Sequence, residues 1–250
     1  MGKSYKKEYE LHYYDVDKNL EGNMSTIINI LSDIGTKHSE ELGSGIKYLM
    51  DNNMTWVFYN YHIKIFRNPV YGEKLNVKTE AIGFKKYYAL RNYRIKDSNG
   101  NVIVNANAIF LLIDLKKRRM IRIPEDQYEI YGVREDIKSE FKIPRLEKPS
   151  VVDYEDEFKV RYADIDSNNH VNNTKYIEWA IETLPEDIVN NYSLHEIKVT
   201  FEKECKYGEQ VKVITEVKKL EEGSLISIHK IENNEGKELT KLIGCWKENL

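Results

Sequence analysis

Hydrophobic and polar positions alternate in short runs along most of the chain, and twice the period changes to that of a helix. Phe158, Val160 and Tyr162 alternate with charged residues, the spacing of a half-buried strand. Ile27, Ile28, Leu31, Ile34 and His38 fall at helical spacing, and so do Tyr176, Ile177, Ala180, Ile181 and Leu184. Asn23 or Ser25 ahead of the first helix, and Asn172 or Asn173 ahead of the second, are candidate N-caps. Strands are predicted behind each helix: 63–66, 75–82 and 102–115 after the first, 197–201, 211–217 and 225–231 after the second. Ser98-Asn99-Gly100 and Asn233-Asn234-Glu235-Gly236 read as turns within these runs.

The same order of elements occurs twice, and so do the residues. The stretch from Glu8 to Asn19 returns as Glu157 to Asn168, 149 positions on, with Asp17 matching Asp166 and Asn19 matching Asn168. Tyr71-Gly72-Glu73 returns as Tyr207-Gly208-Glu209, 136 positions on, so the second copy is 13 residues shorter between its helix and its next strand. An internal repeat decides the architecture: an α+β unit of one helix on a long antiparallel sheet, made twice. The expected boundaries are a first half over 1–119, a connector over 120–156 and a second half over 157–250. Pro124, Pro144 and Pro149 punctuate the connector, which is expected to hold a short helix near 125–137 and reads as a linker or as a lid.

Composition narrows the class. The chain has 250 residues with 18 Tyr against 7 Phe, which suits strands with one wet face. A formal charge of −3 supplies no field that would gather nucleic acid. No segment is apolar for long enough to span a bilayer, and the first ten residues hold no signal-peptide stretch. Cys205 and Cys245 alone make no disulfide framework, so a reducing cytoplasm is the expected compartment.

Candidate chemistry gathers between Asp164 and Tyr176. An extended stretch there points Asp166, Asn168 and His170 to one side. The helix that follows offers N–H groups and partial positive charge to an oxygen gaining negative charge. Asp and Asn in such a loop also serve as caps, whereas His is not a favoured cap. Across the repeat Glu21 stands where His170 does, Asn68 where Glu204 does, and Pro69 where Cys205 does. Chemistry is therefore expected in the second copy alone. Strict alternation from Ile197 turns Cys205 inward and Glu204 outward, but Pro69 marks a place where pairing ends, so either side chain could reach His170.

At these residues the chain resembles the acyl-acyl-carrier-protein (acyl-ACP) thioesterases, in a bacterial form related to the plant enzymes. The resemblance rests on Asp166-x-Asn168-x-His170-Val171-Asn172-Asn173, on Lys175-Tyr176-Ile177-x-Trp179, and on Glu204-Cys205. Trp56-Val57 ahead of His62-Ile63, Asp114 with Arg118-Arg119 before Pro124-Glu125-Asp126, and His38 with Leu42-Gly43 support it. It implies a tandem (double) hotdog, each half a long helix wrapped by an antiparallel sheet. It also implies hydrolysis of fatty acyl-ACP to free fatty acid and ACP, which ends chain elongation in fatty-acid biosynthesis. No metal and no cofactor are implied; the substrate carries phosphopantetheine.

By the same resemblance the catalytic set is Asp166, Asn168, His170 and Glu204. Glu204 acts as general base or nucleophile, His170 polarises or protonates, and Val171 and Asn172 offer N–H groups to the oxyanion. A second scheme makes Cys205 the nucleophile. The first half then supplies the acyl pocket, with Ile28, Leu31, Trp56 and Phe58 as candidate lining. Asn107-Ala108-Ile109-Phe110 departs from the plant pattern, which carries a Trp there, so chain-length rules do not transfer. Lys116-Lys117-Arg118-Arg119, and secondarily Lys85-Lys86, are candidate docking cations for acidic ACP. A monomer or a homodimer is expected. Rival readings are an acyl-CoA thioesterase, a tandem-hotdog hydratase or dehydratase, and a non-catalytic acyl-binding module.

Overall fold

The computed structural model describes residues 2–133, 143–166, 168–221 and 223–249. The chain divides into two compact units, Met1–Tyr61 with Phe66–Ile143, and His62–Ile65 with Pro144–Leu250.

The first unit runs β1 (Ser4–Glu10), a 3-10 turn (Tyr13–Asp15), α1 (Met24–Glu41), α2 (Ile46–Asp51), β2 (Met54–Ile65), β3 (Lys74–Lys85), β4 (Tyr88–Lys96), β5 (Val102–Asp114), β6 (Arg119–Met120) and α3 (Glu125–Tyr131). Its strands lie in the order β1-β3-β4-β5-β2, with β6 beside β5. Asn23 is the observed cap of α1, its side chain accepting from the Thr26 N–H, while Ser25 lies inside the helix. Ile27, Leu31, Ile34 and His38 make one stripe down α1 and are buried. The helix packs over β1 and β3. Fully burying each Ile or Leu stabilises by about 1.5–3 kcal/mol.

The second unit runs β7 (Tyr154–Lys159), a 3-10 turn (Tyr162–Asp164), α4 (Asn173–Glu182), α5 (Glu186–Asn191), β8 (Tyr192–Phe201), β9 (Gln210–Lys219), β10 (Ser224–Asn233) and β11 (Glu238–Glu248). Its order, β7-β9-β10-β11-β8, repeats that of the first unit strand for strand. Every pairing within it is antiparallel. Asn172 caps α4 through the Thr174 N–H. That helix has 10 residues against 18 in α1. It closes at Thr183, so Leu184, expected inside it, instead packs with Ile188, Leu225 and Trp246.

The stretch expected as connector is partly structure. Ile123, Tyr131 and Val133 join a core cluster with Leu49, Ala81 and Phe84 of the first unit. The helix expected over 125–137 is α3, stopped at Gly132 in the left-handed region (φ 66°). Positions 134–142 lie outside the described residues. On the far side, Ser150 donates its N–H and hydroxyl to Glu216 at 2.7 and 2.9 Å, and β7 begins at Tyr154.

Candidate active site

The loop between the 3-10 turn and α4 is held by its own backbone. Asp166 Oδ1 accepts the Asn168 N–H at 2.8 Å and the His170 N–H at 3.4 Å. The Asp166 N–H donates to the His170 carbonyl at 2.8 Å, and Ile165 bridges Val171. Closing so tight a loop puts Asn169 at φ 65°, a conformation Asn tolerates. The loop projects the imidazole, and Nε2 lies 3.0 Å from Glu204 Oε2. Glu204 follows β8, which ends at Phe201, and its carboxylate is half exposed.

The parity question is thereby answered. Alternation stops with β8, Cys205 turns inward and is fully buried, and Glu204 turns outward to the side where the His170 loop lies. The Cys205 thiol donates to Glu209 Oε2 at 3.1 Å. Burial, then that bond and the Glu209 charge, push its pKa up to about 12. Such a thiol is not a nucleophile at neutral pH.

The first unit carries the same loop scaffold with different side chains. Asp17 Oδ1 accepts the Asn19 and Glu21 N–H groups at 2.8 and 3.1 Å, and Leu20 takes φ 60° where Asn169 takes 65°. Gly22 donates to the Pro69 carbonyl at 2.7 Å as Val171 donates to that of Cys205 at 3.0 Å. Even the side-chain contact persists: Asn68 Nδ2 donates to Glu21 Oε2 at 2.8 Å, at the positions of Glu204 and His170. One contact is an amide on a carboxylate, the other an imidazole on a carboxylate. Of the two donors only the imidazole has a ring nitrogen that can both give and accept a proton.

Two family models match the chain, the acyl-ACP thioesterase N-terminal domain over residues 2–131 and the acyl-ACP thioesterase C-terminal domain over residues 147–248. The chain belongs to the acyl-ACP thioesterase family. Oleoyl-acyl carrier protein thioesterase 1 of Arabidopsis thaliana, a chloroplastic protein, is 28% identical over 232 residues, covering 86% of this chain. The chain spans 64% of that relative's length. Dodecanoyl-[acyl-carrier-protein] hydrolase of Cinnamomum camphora, also chloroplastic, is 21% identical over 100% of this chain and 69% of its own length. Among solved structures, a Lactobacillus plantarum protein assigned as an oleoyl thioesterase aligns with TM-score 0.94 and 25% identity, covering 100% of this chain and 98% of its own. The 12:0-ACP thioesterase of Umbellularia californica shares the fold, with TM-score 0.87, 20% identity and coverage of 98% and 94%.

The other expected residues fall as follows. The Val171 and Asn172 N–H groups are already given to the Cys205 and Asp164 carbonyls, at 3.0 and 2.8 Å. The expectation that they face a substrate oxyanion is corrected: the helix start is tied to its own framework. Asp166 likewise bonds the His170 backbone and so holds the loop that carries the imidazole. Asn168 is exposed and gives Nδ2 to Asp166 Oδ2 at 3.3 Å. Ile28 and Leu31 are buried on α1, and Trp56 and Phe58 are half-buried on β2, where the Phe58 ring meets that of Phe110 at a tilt, centroids 4.3 Å apart.

The Lys116 to Arg119 run is exposed and turns tightly. Asp114 Oδ1 accepts the Lys116 and Lys117 N–H groups at 2.9 and 2.8 Å, and Arg118 sits at φ 49°. Lys85 and Lys86 occupy the β3–β4 turn at the same end, where the Lys86 carbonyl accepts from the Ile123 N–H. A histidine–carboxylate contact not foreseen joins His62 Nε2 to Glu196 Oε1 at 2.6 Å, but Lys198 already balances that carboxylate at 3.0 Å. A buried Arg91 against His38 was also missed. Its signal was an arginine at the inward parity of an otherwise apolar strand.

No helix among the described residues is long and apolar enough to cross a membrane. Nor do the described residues hold a cluster of three or more metal-ligating groups.

Proposed function

We propose that this protein is a tandem hotdog hydrolase that cleaves the thioester of fatty acyl-ACP to fatty acid and ACP, with His170 and Glu204 as its reacting pair. The observation that carries the reading is the 3.0 Å His170–Glu204 contact on a loop whose twin in the first unit holds Glu21 and Asn68 instead. Glu204, open to water, takes a proton as the water oxygen attacks the thioester carbon and the carbonyl pair becomes an oxyanion. The proton passes along the contact to Nε2 and on to the sulfur as the carbon–sulfur bond breaks. Asn168 and its amide position the reacting groups, and Asp166 keeps the loop closed.

The route uses no metal and no cofactor beyond the phosphopantetheine of the substrate. The acyl chain enters the first unit past Trp56 and Phe58 toward Ile28 and Leu31, and Lys116 to Arg119 meet the acidic carrier. The protein works in a reducing cytoplasm, as a monomer or homodimer.

The test is thiol release from carrier-bound acyl chains of graded length, with the same chains on coenzyme A beside them. His170→Ala and Glu204→Ala should each lose about 10²–10⁴-fold in kcat. Faster turnover of the coenzyme A series would replace the carrier assignment. Release unaffected by both substitutions would remove the site.

A further inference from the structure

A buried phenol sits behind the reacting pair. Tyr176, the fourth residue of α4, is 2% exposed. Its ring stands edge-on to Trp179 and to Phe201, the last residue of β8, with centroids 5.5 and 6.0 Å apart. Its hydroxyl completes no hydrogen bond among the described residues. The Cys205 N–H is turned toward that oxygen, and no main-chain carbonyl among the described residues takes it. Burial, then Cys205, Glu204 and Glu209, push the phenol pKa up while that N–H pulls it down, so at neutral pH it stays a hydroxyl. A buried hydroxyl so poorly bonded is a cost that phenylalanine would not carry.

The first unit builds the same corner with neither group. Across the repeat Ile27 stands where Tyr176 does and Ile65 where Phe201 does, both buried, and Pro69 stands where Cys205 does. The two carbonyls keep one task, Cys205 accepting from the Val171 N–H at 3.0 Å and Pro69 from the Gly22 N–H at 2.7 Å. Pro69 has no N–H to satisfy, and its ring fixes φ. Cys205 has both an N–H and a free φ. Just upstream, the Glu202 and Lys203 N–H groups are tied to the Leu239 carbonyl at 2.7 and 3.1 Å. The slack of the corner therefore falls on the peptide that joins Glu204 to Cys205. The plane of that peptide goes with the backbone angles of Glu204, and so with the direction of its side chain.

We propose that Tyr176 is a positioning residue: its hydroxyl holds the Cys205 N–H, and with it the peptide that aims the Glu204 carboxylate at His170. This rests on the hydrolase reading above, although the hold itself can be measured without it. Away from water, an N–H facing a phenol oxygen is worth more than on the surface, because no solvent competes for either group. What a proline ring does covalently in the first unit, the phenol does here through a contact.

The experiment compares wild type with Tyr176→Phe by Tm, by NMR amide exchange at Cys205 and Val171, and by initial-rate thiol release from acyl-ACP. Removing one oxygen keeps the ring against Phe201 and Trp179, so the variant reads the hydroxyl alone. Exchange at Cys205 should quicken about tenfold, while Val171, bonded to a carbonyl, should be unchanged. The kcat should fall about tenfold with KM and Tm held, the mark of a misaimed group rather than of lost binding. A tyrosine that merely fills the core would leave kcat and Cys205 exchange at wild-type values, and that result overturns the proposal. So would a kcat loss of the same factor in a Glu204→Ala background, since Tyr176 would then not act through Glu204. A wild type that releases thiol from no acyl-ACP overturns the hydrolase reading and the positioning role with it. An active wild type in which Tyr176→Phe quickens exchange but spares kcat overturns the positioning role alone.

Discussion

Replacing Cys205 by alanine separates two chemical schemes. With a pKa near 12, roughly one thiol in 10⁴–10⁵ is ionised at pH 7.5, which removes it as a competent nucleophile. The part of residue 205 that matters to the loop is its carbonyl, which takes the Val171 N–H; in the first unit Pro69, with no thiol, does the same for Gly22. Cys205→Ala should therefore keep thiol-release kcat within about threefold of wild type, while the lost sulfur contact lowers stability by about 1 kcal/mol. The assay is initial-rate thiol release beside a denaturant titration, with iodoacetamide labelling of the native enzyme expected to spare Cys205. A folded Cys205→Ala protein with activity down by orders of magnitude would refute the reasoning, as would rapid loss of activity on alkylation of that residue.

The twin loops give a second test with its own control. Asp17→Ala and Asp166→Ala should each cost about 1–2 kcal/mol, since each removes a carboxylate that accepts two backbone N–H groups, and thiol release should fall only for Asp166→Ala. A stable but inactive Asp166→Ala would instead give that carboxylate a direct chemical role. Acid sensitivity follows from two interior histidines. Burial pulls His38 and His229 down to about 4 and about 3, with the Arg91 charge adding at His38. Below about pH 6.5 the unfolded chain takes up protons that the folded chain refuses, so stability falls with pH, by a few kcal/mol near pH 4. His229→Gln, which keeps a partner for Thr215, should flatten the fall in urea midpoints. A midpoint independent of pH in wild type would contradict it.

Much of this was legible in the sequence because a repeat supplies its own reference. The run of strands behind each helix, candidate caps at Asn23 or Ser25 and at Asn172 or Asn173, and the contrast of His170 with Glu21 all follow from reading one half against the other. What alternation could not give was the path after Phe201, where pairing ends and each side chain turns by loop geometry rather than by period. The N–H groups of Val171 and Asn172 were misread for a related reason. A helix start offers free donors by rule, and only the fold reveals that the Cys205 and Asp164 carbonyls already take these two. Arg91 was overlooked because composition counts a cation as surface, although its strand parity placed it inward.

The paired loops also bear on how such a molecule changes over time. Leu20 and Asn169 hold nearly the same uncommon backbone angle, and the same main-chain bonds surround both. On the proposed mechanism, reactivity is therefore written onto a frame that stands without it, at two positions per half. A duplicated ancestor could let one half go silent by exchanging those two side chains, with no rearrangement of the chain between them. The reverse edit, Glu21→His with Asn68→Glu, marks the shortest route to a molecule with two reactive halves.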